Sequence, residues 1–209
     1  DSKNLTFKLE NHILKISNKI GKKMFIQTES TPNPSTLKFV PGHAVMEVGT
    51  ADFASETAAQ NSPLAQRIFQ VTDVTGVFFG LDFITVSKTE QAEWDHLKPE
   101  ILAAIMDHFQ SGDPVMANRS GTISHADHDG PNQNLVNQIK ELLDTRVRPA
   151  VAQDGGDITF HGFEDGVVYL HMQGACAGCP SSTMTLKMGI ENLLRHYIPE
   201  VTEVRPVAA

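Results

Sequence analysis

An α+β protein of two small mixed α/β domains joined by a flexible linker is what this sequence predicts, and three observations carry the prediction. Short runs of alternating apolar and polar residues are interleaved with stretches whose apolar residues recur every three or four positions, so strands and helices mix along the chain. Between Gln110 and Asn134, Gly112, Pro114, Gly121, Gly130 and Pro131 stand among Ser, Asn and Asp with almost no large apolar residue, the composition of a linker. At 209 residues the chain suits one large domain or two small ones, and this linker decides for two.

The extension over 1–23 holds six lysines against Asp1 and Glu10, with Leu5, Leu9, Ile13, Ile16 and Ile20 at helical spacing. It reads as disordered or weakly helical. It lacks the arginine bias of a transit peptide, which leans the chain toward a bacterial cytoplasm, and Met24 reads as the start of the folded protein. The first domain, 24–115, opens with strands over 25–29 and 36–40 around Thr31-Pro32-Asn33-Pro34, and a third strand follows over 45–48. Ser62 offers an N-cap and Pro63 a first helical residue for a helix through Leu64, Ile68 and Phe69. Segments 74–79 and 83–87 form a hairpin about Gly80-Leu81-Asp82. Trp94, Leu97, Ile101, Ile105 and Phe109 mark one face of a helix.

The linker is drawn at 116–134, and the units it joins are expected to reorient independently. In the second domain, 135–209, Leu135, Ile139, Leu142, Leu143 and Val147 line a helix that Pro149 should end. Asp154-Gly155-Gly156-Asp157 reads as a turn with capping carboxylates. Strands over 158–163 and 167–172 make a hairpin about Glu164-Asp165-Gly166. A helix opening at Pro180 carries Leu186, Ile190, Leu193 and Tyr197, and a strand over 201–204 completes an α-β-β-α-β unit.

Composition narrows the function. The net charge is −8, and residues 24–134 carry five basic against fourteen acidic side chains, a body that repels a phosphate backbone, so no nucleic-acid partner is expected. No apolar run approaches the roughly 18 residues of a membrane span. The two cysteines form Cys176-Ala177-Gly178-Cys179, too few for a secreted disulfide framework, which points to a reducing compartment and a metal or redox role.

In Gly174-Ala175-Cys176-Ala177-Gly178-Cys179-Pro180 the CxxC turn joins a strand end to a helix start and aims both sulfurs at one point. The helix N-terminus supplies partial positive charge, which favours thiolate, the form that binds iron or zinc. An iron–sulfur cluster normally takes four Cys ligands, and one chain brings two. A complete all-cysteine site therefore requires two chains, and a symmetric homodimer with the loop on its two-fold axis supplies them. A cluster held only across such an interface is releasable to incoming thiolates, as a carrier requires.

On these residues the chain resembles the NifU-like (Nfu) family. The C-terminal resemblance runs from about Leu135 through Arg148-Pro149, Gln153-Asp154-Gly155-Gly156-Asp157 and the cysteine loop. The N-terminal one runs from Met24 to about Val115 through Thr28-Glu29-Ser30-Thr31-Pro32-Asn33-Pro34 and Leu37-Lys38-Phe39. The resemblance implies a non-enzymatic scaffold or carrier. It would bind a [4Fe–4S] cluster, with [2Fe–2S] as the other type, through Cys176 and Cys179 of two protomers. Upstream cluster-assembly proteins would supply it, and apo-proteins such as lipoate synthase or aconitase-type clients would receive it. The N-terminal domain, without ligands, would serve partner contacts. Family members of this layout occur in bacterial cytoplasm and in the mitochondrial matrix.

Two other readings of the cysteines remain: a dithiol/disulfide oxidoreductase, which also sets CxxC at a helix N-terminus, and a zinc-stabilised interaction module. His125, Asp127, His128 and Asp129 read as a solvated polar run, Met184 and Met188 as core packing, and His43, His96, His108, His161, His171 and His196 have no motif around them.

Overall fold

The computed structural model describes residues 25–117, 133–177 and 180–207. The extension over 1–23, most of the linker with its His125–Asp129 run, and Cys179 lie outside the described residues.

The first domain is a five-stranded antiparallel sheet in the order β1-β2-β5-β4-β3 with two helices on one face. Its strands are β1 (Gln27–Ser30), β2 (Thr36–Val40), β3 (Ala51–Phe53), β4 (Val74–Phe79) and β5 (Ile84–Lys88). The predicted strand over 45–48 is instead irregular chain, tied down by the Val45 N–H donating to Leu81 O at 2.7 Å, and the edge strand is Ala51–Phe53. Helix α1 (Pro63–Phe69) starts as expected: the Ser62 hydroxyl accepts from the Ala65 N–H at 3.1 Å and Pro63 occupies the first turn. Helix α2 (Trp94–Ser111) ends at Gly112 in the left-handed region (φ 76°), a conformation glycine adopts without strain. Leu37, Phe39, Val77, Phe79, Ile84 and Val86 project from one sheet face into a core with Leu64, Ile68, Ile101 and Ile105.

Inside that core His108 is fully buried beside Asp113. Burial, then the Arg67 charge, hold its pKa below the ordinary value, with nearby Asp113 opposing both. The unfolded chain therefore binds more protons at this site. The domain keeps its full stability above the unfolded histidine pKa of about 6.5 and loses it as pH falls through that value toward the lower folded one, at up to about 1.4 kcal/mol per pH unit. His108→Leu should flatten this acid-side loss, measured as urea midpoints between pH 7.5 and 5; an unchanged slope would assign it to other groups.

The second domain begins with α3 (Gln133–Leu142), a π-helical segment Leu143–Val147 and α4 (Arg148–Gln153). Pro149 does not end the helix as expected. The Arg148 N–H reaches back five residues to Leu143 O, and Pro149 falls in the first turn of α4, where its missing N–H is least costly. Strands β6 (Gly156–Glu164) and β7 (Val167–Gly174) form the expected hairpin, with Asp165 (φ 48°) and Gly166 (φ 79°) both left-handed, as a tight two-residue turn requires. Helix α5 (Pro180–Tyr197) crosses over to β8 (Glu203–Val207), parallel to β7 and a little later than the predicted strand. Ile139, Leu143, Ile158, Leu170, Ile190 and Leu194 form its core.

The other face of the first sheet is buried too. Lys38, Thr85 and Phe78 alternate with the core residues on β2, β5 and β4, yet all three are nearly inaccessible. The second domain covers them: its β6–β7 end sits on this outer face, although the sequence leads one to expect two independently moving units.

Candidate metal centre

The site grows from the end of β7. Gly174, left-handed at φ 60°, turns the chain into Ala175-Cys176-Ala177. Three main-chain hydrogen bonds close the turn: Ala175 N–H to Gly155 O at 3.2 Å, Cys176 N–H to Gln173 O at 3.3 Å and Ala177 N–H to Gly174 O at 3.1 Å. The Thr183 hydroxyl on α5 donates to Cys176 O at 3.1 Å, tying the turn to the following helix.

Cys176 is a free thiol with 7% of its surface exposed, packed into the core of its own domain. Its sulfur lies over Gly156, where a Cβ would approach within 2.5 Å of Sγ. Burial above all, then the carboxylates of Asp154 and Asp157, push the thiol up to about 12. The sequence leads one to expect a thiolate from the helix N-terminus. Desolvation and two anions raise the thiol's pKa instead. Beside the sulfur opens a mainly apolar cavity of about 570 Å³, lined by Pro32, Val147, Val151, Leu186 and Ile190.

The Asp154–Asp157 segment is a turn, but Asp157 does not cap a helix. It accepts a bidentate pair from Arg148, Nε at 2.8 Å and Nη2 at 2.7 Å, and also accepts from the Ile158 N–H at 2.8 Å. Thr50 of the first domain donates to the same carboxylate at 3.1 Å.

Met184 and Met188 are exposed at 64% and 59%, not packed in the core as expected, because they occupy the solvent side of α5 just past the loop. Sequence reasoning also missed a histidine pair: His171 Nε2 and His161 Nδ1 meet at 3.0 Å across β6 and β7, where a bulge at His161 shifts the register, which strand spacing does not reveal. Among the described residues no three His, Cys, Asp or Glu side chains gather as a metal site, and no helix is long and apolar enough to cross a membrane.

Comparison with known proteins assigns both halves. Residues 26–112 match the family described as "Scaffold protein Nfu/NifU N terminal", and residues 139–205 match "NifU-like domain". "NifU-like protein 4, mitochondrial" of Arabidopsis thaliana is 54% identical over 189 residues, covering 87% of this chain and 65% of its own length. Relatives named "NFU1 iron-sulfur cluster scaffold homolog, mitochondrial" are 54% identical in Drosophila persimilis, over 92% of this chain and 69% of theirs, and 52% identical in Homo sapiens, over 88% and 72%. The chain thus spans just under two thirds of the Arabidopsis relative's length.

Proposed function

Because the chain belongs to the Nfu/NifU scaffold family, we propose that it carries an iron–sulfur cluster between two copies of itself and hands it intact to apo-proteins. The observation that supports this reading best is Cys176, which follows the end of β7 and precedes α5 in the NifU-like domain. Thiolates are the soft ligands that iron–sulfur clusters take, and Cys176 and Cys179 of each protomer bring the four that a [4Fe–4S] cluster needs.

Loading has a physical requirement. Cys176 holds its proton in this form, and its sulfur faces its own core, so the loop must turn outward and the thiol must ionise. Coordination to iron would hold the sulfur as thiolate and so offset the opposition of Asp154 and Asp157 to a lone thiolate. Release is ligand exchange: client thiolates replace Cys176 and Cys179, the cluster keeps its iron and sulfide, and each departing thiolate takes up a proton from water. No bond is made or broken catalytically, so the role is that of a carrier. Candidate clients are lipoate synthase and aconitase-type proteins, and upstream assembly proteins supply the cluster. The compartment is the mitochondrial matrix or a bacterial cytoplasm; mitochondrial is the word in the relatives' names.

Anaerobic reconstitution with iron and sulfide, followed by iron and sulfide quantitation and solution mass, tests the reading. The expected product is a dimer with four irons and four sulfides, as one [4Fe–4S] cluster with four thiolate ligands demands. A monomer without iron, cycling a Cys176–Cys179 disulfide, would promote the oxidoreductase instead.

A further inference from the structure

Thr31-Pro32-Asn33-Pro34 in the first domain and Asp154-Gly155-Gly156-Asp157 in the second contain no cysteine and lie far apart in the chain, and the fold brings the two segments together. The first is a rigid turn. Thr31 Oγ1 donates to Asn33 O at 2.8 Å, the Ser35 N–H donates to Asn33 Oδ1 at 3.0 Å, and the Thr36 N–H donates to Asn33 O at 2.9 Å. With its oxygen so engaged, the Asn33 amide presents Nδ2 outward, and it donates to Ala177 O, inside the cysteine loop, at 3.0 Å. Two side chains of the outer sheet face do the same one step away. Lys38 Nζ donates to Gln153 O at 3.0 Å and Thr85 Oγ1 to Gly155 O at 2.6 Å.

We propose that the first domain is a latch on the cysteine loop, in which Asn33, Lys38 and Thr85 grip the carbonyls of Ala177, Gln153 and Gly155 and must let go before Cys176 can face a second copy of the chain. The consequence for cluster loading rests on the proposed function; the latch itself does not.

The chemistry of the contact is that of an interface made to part. An apolar face would resist separation in proportion to its area, whereas each of these donors exchanges a carbonyl partner for water at only about 1 kcal/mol. Lys38 is not stranded on opening, since Glu29 at 3.0 Å and the Phe83 ring at 4.9 Å stay with it in its own domain. Gly155 O keeps the Ala175 N–H when Thr85 leaves. The contact has an apolar part too: Phe78 packs against Gly174, where a Cβ on the glycine would come within 2.8 Å of the ring.

Alkylation of apo-protein in a Cys179→Ser background tests the latch without iron, because Cys176 is then the one thiol in the chain. Asn33→Asp keeps the oxygen that accepts from Ser35 but sets a carboxylate against the Ala177 carbonyl. Thr85→Val keeps shape and removes the hydroxyl. Each should raise the maleimide rate at Cys176 about fivefold, the factor for one hydrogen bond of about 1 kcal/mol, and the pair together by more than about tenfold. Circular dichroism and the thermal midpoint of the first domain should hold; if Asn33→Asp unfolds it, Thr85→Val alone decides. Rates equal to the parent in a folded variant overturn the latch. Faster alkylation with no gain in iron uptake by the same variants carrying both cysteines supports the latch and counts against the cluster reading.

Discussion

Cys176→Ser and Cys179→Ser are each expected to reduce reconstituted cluster to the background of adsorbed iron and to leave the protein monomeric. Each substitution removes two of the four ligands in a two-fold dimer, and a serine hydroxyl does not ionise near neutral pH to replace a thiolate. If the cluster is also what joins the protomers, dimer and iron should vanish together, read by solution mass beside iron content. Cys176→Ser has a second effect that must be separated from the first. A hydroxyl at a position only 7% exposed and packed among core residues costs about 1–3 kcal/mol where it finds no partner. Cys176→Ala removes the ligand without adding a polar group, so equal loss of iron in both variants assigns the effect to ligation. Full iron occupancy in either variant would move the ligands elsewhere and remove the basis for a bridged cluster.

Much of the fold is legible in the chain, for reasons that differ by element. Strand β2 and helix α1 carry their own signals: alternation over Thr36-Leu37-Lys38-Phe39, and an N-cap serine followed by proline at Ser62-Pro63. Strand β3 carries none. Ala51-Asp52-Phe53 is three residues long at a sheet edge, while the more apolar 45–48 segment lost its strand to backbone bonds with Leu81. Pro149 misleads because a π-helical turn lets proline open a new helical segment instead of closing the old one.

The candidate site divides in the same way. CxxC and its flanking glycines are local, so the position of the loop between strand and helix is readable from spacing. The state of Cys176 is not, since it depends on Asp154, Asp157 and a core assembled from distant segments. Alternation on β2 and β5 says that Lys38 and Thr85 share a face; it cannot say whether water or another domain's carbonyls meet them. The N-terminal motif around Asn33 marks a turn in the sequence, and only the tertiary structure shows what that turn holds.

Gly156→Ala should be among the most damaging single substitutions in the second domain. At the start of β6 this glycine faces Gly174 across the hairpin, and a Cβ there would lie 2.5 Å from Cys176 Sγ, 2.7 Å from Gln173 O and 3.0 Å from Cys176 N. The thiol could rotate away, but two of these three atoms are main chain in the turn that shapes the cysteine loop. Relief therefore means moving the loop or prying the hairpin apart. Overpacking of this kind typically costs 1–3 kcal/mol, and main-chain clashes put this case at the upper end, about 3 kcal/mol, a fall in Tm of roughly 15 °C for a domain this small. Gly162→Ala, in the same strand with nothing within 4 Å of its Cβ, is the control and should change Tm little. The chemical consequence is separable from the thermal one. Well below its midpoint, folded Gly156→Ala should show faster alkylation at Cys176 than the parent, because the added methyl competes for the space the sulfur occupies. A normal Tm with parent-like thiol reactivity would mean that the loop relaxes freely around residue 156, and that Gly156 does not set where the cysteine lies.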